Sequence, residues 1–165
     1  MSLPNPFLPT AGVPTRPALN THSNTEYAID LPTSWKVVPS ADANAVTFQS
    51  DADGATLFVS VDFYVIPADK ARATAERLIN SRLATHAEQA PGRVDVFDSG
   101  TRPHAQGAGL EMHYAAHIAN EDVVMHAVYV MPRRVLNLTL VSRRGRATAT
   151  ALFEAIRAHF RPLPA

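Results

Sequence analysis

The chain has 165 residues, 46% hydrophobic and 18% charged, a balance that fits one globular domain with a single sizeable core. Lys plus Arg equal Asp plus Glu at 15 each, so no global field draws the molecule onto nucleic acid or an acidic membrane. The lack of cysteine excludes a disulfide framework, a thiolate metal site, a thiol nucleophile and the lipidated residue of a bacterial lipoprotein, and leaves the redox compartment open.

Residues 1–25 hold Pro4, Pro6, Pro9, Pro14 and Pro17, with no basic stretch followed by an apolar run, and read as neither signal peptide nor helix. They are expected to form a Pro-rich extended or disordered arm, with Phe7 and Leu8 available to dock on the body, and residues 26–165 to form a single domain. No apolar stretch approaches the roughly 20 residues that span a bilayer. As written, the chain is expected in the cytoplasm; a removed signal sequence would place it in the periplasm or cell envelope.

From Glu26 the hydrophobic period sets the elements. Tyr27, Ile29 and Leu31 alternate until Pro32, a second extended piece runs from Trp35 to Val38, and Val46 and Phe48 lead to a turn at Asp51 to Gly54. Leu57 to Val65 reads as a strand with Leu57, Val59, Val61, Phe63 and Val65 on one face and Phe58, Ser60, Asp62 and Tyr64 on the other. After Pro67 the period becomes 3.6, with Ala71, Ala75, Leu78, Ile79 and Leu83 in one stripe of a helix from Ala68 to about Ala90, ended by Pro91-Gly92. Val94 to Phe97 returns to strand, and Gly100 to Gly109 reads as loop. Leu110 to Ile118 and Val123 to Met131 form a hairpin through Asn120-Glu121-Asp122. Val135 to Val141 is the last strand, with Leu136, Leu138 and Leu140 inward. A closing helix from about Ala147 to Phe160 buries Ala149, Leu152, Phe153, Ile156 and Phe160. The fold class is α+β, an antiparallel β-sheet flanked by helices in an α/β/α sandwich.

Tyr-x-Ile-x-Leu-Pro-x-x-Trp at Tyr27 to Trp35, a long strand, an Ala-rich helix, a hairpin and a closing helix ending in Phe160 together resemble the PsbP-like superfamily and its bacterial DcrB-like branch, over about residues 26–162. The superfamily includes photosystem extrinsic subunits, a nuclear-transport factor that binds the small GTPase Ran, bacterial envelope lipoproteins and the Eag-type chaperones of type VI secretion, which hold apolar segments of effectors. The resemblance implies a non-catalytic protein and, for Trp35, a packing role under the first hairpin.

His113, His117 and His126 on one hairpin suggest a metal, but His113 and His117 stand about 13 Å apart on a strand that rises ~3.3 Å per residue, whereas ligand nitrogens lie about 2 Å from a metal. No metal and no cofactor is expected, although a contribution from His104 stays open. Asp62 is the carboxylate that the strand pattern places inside the sheet, where it needs a partner or a raised pKa. Asn137 and Thr139, and His113 and His117, continue the same semi-polar face. A hydrolase could be assembled from Asp62, a histidine and a hydroxyl, yet the chain has no Gly-x-Ser-x-Gly elbow and no His-Glu-x-x-His helix. Gly107-x-Gly109 leads into a strand and does not cradle a phosphate. Arg133-Arg134 and Arg143-Arg144-x-Arg146 cap opposite ends of one strand, on the order of 30 Å apart. Asn137-Leu-Thr139 matches a glycosylation sequon but lies within a strand.

The function expected is a non-catalytic protein-binding module, an adaptor or chaperone holding a peptide or apolar helix on its sheet face or groove around Phe58, Asp62, Tyr64, His113, Tyr114 and Tyr129. Alternatives are a cell-envelope accessory domain and a small hydrolase. The partner is expected to be a protein or peptide, with no nucleic acid and no membrane insertion; a homodimer is compatible with the sequence.

Overall fold

The computed structural model describes residues 18–104, 109–119 and 122–164. The described strands and helices run, in chain order, β1 (Leu19–Ser23), β2 (Tyr27–Pro32), β3 (Lys36–Val38), β4 (Ala45–Ser50), β5 (Ala55–Asp62), α1 (Ala71–Gln89), β6 (Val94–Pro103), β7 (Leu110–Ile118), β8 (Asp122–Met131), β9 (Arg134–Ser142), α2 (Arg146–Ala158) and β10 (Phe160–Pro162). Seven strands form an antiparallel sheet in the order β3-β4-β5-β9-β8-β7-β6, and β1-β2-β10 form a smaller one. This is the α+β, antiparallel architecture that the hydrophobic periods indicate.

Each face of the large sheet has its own core. On one, Leu57 and Val59 of β5, Leu136, Leu138 and Leu140 of β9, and Met125 and Ala127 of β8 pack against Ile29 and Leu31 of the small sheet and Phe153 and Ile156 of α2. Trp35 is buried in this core. On the other, Ala75 and Ile79 of α1 cover Met112, Tyr114, Val128 and Val130. β8 is sandwiched between the two layers, which is why its residues 123–130 are all buried and its sequence is nearly continuously apolar.

Four segments depart from the periodicity. Residues 18–25, assigned to an arm, include β1, which pairs along β2 from Leu19↔Pro32 to Ser23↔Ala28, so the domain reaches back at least to Leu19. The strand expected over Leu57 to Val65 ends at Asp62. The chain must cross to α1, and the Ile66 N–H donates to Pro132 O at 2.8 Å to anchor that crossing, leaving Phe63 and Val65 exposed. The loop expected from Gly100 is strand: a bulge at Phe97 resets the alternation and β6 continues to Pro103. Phe160 belongs to β10, opposite Ile29, and not to the helix. The proline-rich stretch 1–17, Gly107, and Asn120 and Glu121 of the expected hairpin turn lie outside the described residues. Gly109 enters β7 at φ 132°, and a Cβ there would come within 2.4 Å of Val130 O, so the position demands glycine.

Candidate binding surface and the polar clusters of the sheet

Helix α1 covers β7 and β8; on the same sheet face Asn137 and Thr139 of β9 are still buried, and exposure begins at β5. Phe58 of β5 is 44% exposed and paired across to Thr139. Asp62 ends the row. It is exposed and accepts a hydrogen bond from Asn137 Nδ2 at 3.1 Å, so the buried mid-sheet carboxylate expected from alternation is instead a solvated strand end. Beyond it Phe63, Tyr64 and Val65 project into solvent at 59%, 51% and 87% exposure. These three residues run directly into Ile66, which lines an apolar cleft of about 430 Å³ between the start of α1 and the β8–β9 turn, with Ala71, Leu110, Val130 and Pro132 as walls and Arg72 at its side. That volume lies within the roughly 300–1,000 Å³ of ordinary ligand clefts.

The other candidate side chains are elsewhere. Tyr114 lies wholly buried under α1, where His86 Nε2 and its hydroxyl share a 2.9 Å hydrogen bond and burial pushes its pKa up to about 12. Tyr129 faces the opposite core, its ring against Phe160 and His104, with no hydrogen-bond partner for its hydroxyl among the described residues. Both are core tyrosines and neither belongs to a binding surface. They alternate like surface aromatics only because each of their strands is covered on both faces. His113 is on the α2 side as well, across the sheet from Phe58. Of the six, only Phe58, Asp62 and Tyr64 are exposed.

A charge cluster that the sequence does not announce surrounds His113. Arg157 of α2 and Glu111 of β7, each with a side chain 1% exposed, form an ion pair. Arg102 Nε donates to Glu111 at 3.0 Å, Arg157 also reaches Glu154 at 2.7 Å, and Asp98 and His113 share a 3.2 Å hydrogen bond. Burial lowers the Arg157 pKa to about 10, which leaves it cationic at neutral pH. The fold thus buries a cation against an anion that has a second cation at its rim, an arrangement suited to fixing α2 on the sheet.

His126, fully buried, shares a 2.7 Å hydrogen bond with Thr139 Oγ1 and packs on the Tyr114 ring. Burial, with Arg82 and His86 adding repulsion, holds its pKa well below 6.5. The unfolded chain therefore takes up a proton near the ordinary histidine value while the folded chain does not. Stability is complete above that value and falls as the pH drops toward the depressed folded one. Melting temperature is expected to decline between about pH 7 and about pH 5, and His126→Gln to flatten the decline. An unchanged slope in that variant would move the effect to His86 or His104, whose pKa values burial also lowers.

Among the described residues no group of three His, Asp or Glu side chains converges as metal ligands, and no helix is long and apolar enough to cross a membrane. Asp62 accepts from Asn137, and no hydrogen bond joins it to a histidine among the described residues.

No family model matches the chain, and no curated protein matches it. Among solved structures it is similar to the solution structure of cyanobacterial PsbP (CyanoP) from Synechocystis sp. PCC 6803, with a TM-score of 0.64 and 19% identity over 94% of this chain and 99% of that one. The chain therefore has a PsbP-like fold, as its opening Tyr27 to Trp35 segment suggests.

Proposed function

We propose that the chain is a non-catalytic binding module, an adaptor or chaperone akin to the DcrB-like branch, whose open α1-side surface receives an apolar helix or peptide of a partner protein. The observation that carries this reading is the exposure of Phe63, Tyr64 and Val65 in the segment that leads in sequence to Ile66 of the apolar cleft, together with the exposed Phe58 on the strand before it. Soluble proteins rarely expose contiguous apolar surface unless it meets something, and aromatic side chains supply contact area at small entropic cost. The polar floor beside them, Asn137 bonded to Asp62, adds a fixed hydrogen-bonding group for orientation.

The test is affinity capture from lysate of the native source with the wild type and with Phe58→Ser/Tyr64→Ser. A partner retained by the wild type should fall about tenfold or more in the double variant. The melting temperature should move little, because Phe58 and Tyr64 are 44% and 51% exposed and neither belongs to the two cores. Equal capture by both proteins would remove this surface from consideration, and a large loss of stability would show that the residues are core.

A further inference from the structure

The seven-stranded sheet has two edges of unequal kind. β3 is three residues long and carries Lys36, which is how natural edges are usually blunted. β6 is ten residues long, pairs only with β7 among the described strands, and has no buried side chain. The bulge at Phe97 sets which residues share a face. Asp95, Asp98, Gly100 and Arg102 lie opposite His117, Ala115, His113 and Glu111, on the α2 side; Val94, Val96, Ser99, Thr101 and Pro103 lie opposite the α1-side residues of β7.

We infer that β6 is a self-pairing edge, which joins antiparallel to β6 of a second copy about a two-fold axis at Ser99. That register sets Asp98 against Gly100, Val96 against Thr101, Asp95 against Arg102 and Val94 against Pro103, and every one of these pairs lies on a common face. The two bulges fall symmetrically, so they offset each other instead of interrupting the ladder. Each copy then places Arg102 across from Asp95 and diagonal to Asp98 of the other. Arg102 uses Nε for Glu111 and is 49% exposed, which leaves the terminal nitrogens of its guanidinium free to reach across. Gly100, where any Cβ would meet His113 Cε1 at 2.8 Å, also gives the Asp98 side chain of the facing strand room. Charges that ordinarily protect an edge by repulsion here attract under the two-fold. Val96, 43% exposed, gains Thr101 as a neighbour.

Sedimentation of the full chain over a dilution series should show a dimer that dissociates on dilution. Asp95→Arg, which sets arginine against Arg102 of the second copy, should weaken it about tenfold or more while melting like the diluted, monomeric wild type. Because the chain has no cysteine, Ser99→Cys supplies one thiol per copy on the two-fold, where the facing Cα atoms of an antiparallel pair, about 4.5–5.5 Å apart, fall within the range a disulfide spans. Mild oxidation should link it as a dimer, and Val38→Cys on the β3 edge should stay unlinked. A wild type that is monomeric throughout overturns the proposal, as does a dimer that Asp95→Arg leaves intact or that links equally through Val38→Cys. None of these substitutions touches Phe58 or Tyr64, so failure here leaves the binding surface standing.

Discussion

Arg157→Ala should lower the unfolding free energy by about 3–5 kcal/mol, the range found when one member of a buried ion pair is removed. The loss comes from the partner left behind: Glu111 is 1% exposed and would keep its charge in a nearly water-free site. Arg102 remains at 3.0 Å, but it is half in solvent and neutralises the carboxylate only in part, so the lower end of the range is the expected result. The double variant Glu111→Leu/Arg157→Met should recover most of the loss, since two apolar side chains of similar size carry no desolvation penalty. Urea denaturation of Glu111→Leu, Arg157→Met and the double closes the cycle. Additive losses would show that the two residues do not act as a pair.

Phe153→Ala should cost a further 3–5 kcal/mol in its own right, through a cavity instead of a charge. The ring is wholly buried between α2 and the large sheet, with Arg157 Cζ 5.5 Å from its centre. Against a usual domain stability of about 5–15 kcal/mol, this brings the protein close to unfolding at physiological temperature. The midpoint in urea should fall with little change in slope. A loss below about 1 kcal/mol would mean that α2 can collapse onto the sheet and fill the space.

Period-2 alternation was enough to place the inner faces of β5 and β9, because Leu57, Val59, Leu136, Leu138 and Leu140 meet a core on one side and a polar or open surface on the other. It could not separate Tyr114 and Tyr129 from surface tyrosines, since β7 and β8 are covered on both faces and alternation there only says which core a residue joins. Phe63 and Val65 continue the pattern of β5 in sequence but not in space; the exit of the chain depends on the Ile66 bond to Pro132, which is a contact between distant segments. Glu111 reads as an ordinary outward residue, and its burial depends on an arginine 46 positions later. The exposure of Phe58 and Tyr64 follows from the alternation; that of Phe63 and Val65, on the other face of the same pattern, does not.

β2 holds β1 on one side and β10 on the other, and Asp30 of β2 and Arg161 of β10, joined by paired hydrogen bonds of 2.7 and 3.1 Å, lie 131 positions apart. A chain emerging from the ribosome therefore makes Tyr27, Ala28 and Ile29 long before the strand that pairs with them exists. Until then one edge of β2 stays unpaired, and unpaired strand edges are the feature of incompletely folded chains that favours mispairing. A stop codon ahead of Phe160 would remove β10 and, with it, the pairing from Phe160↔Ile29 to Pro162↔Tyr27 and both Arg161 bonds to Asp30, leaving β2 with β1 alone in the small sheet.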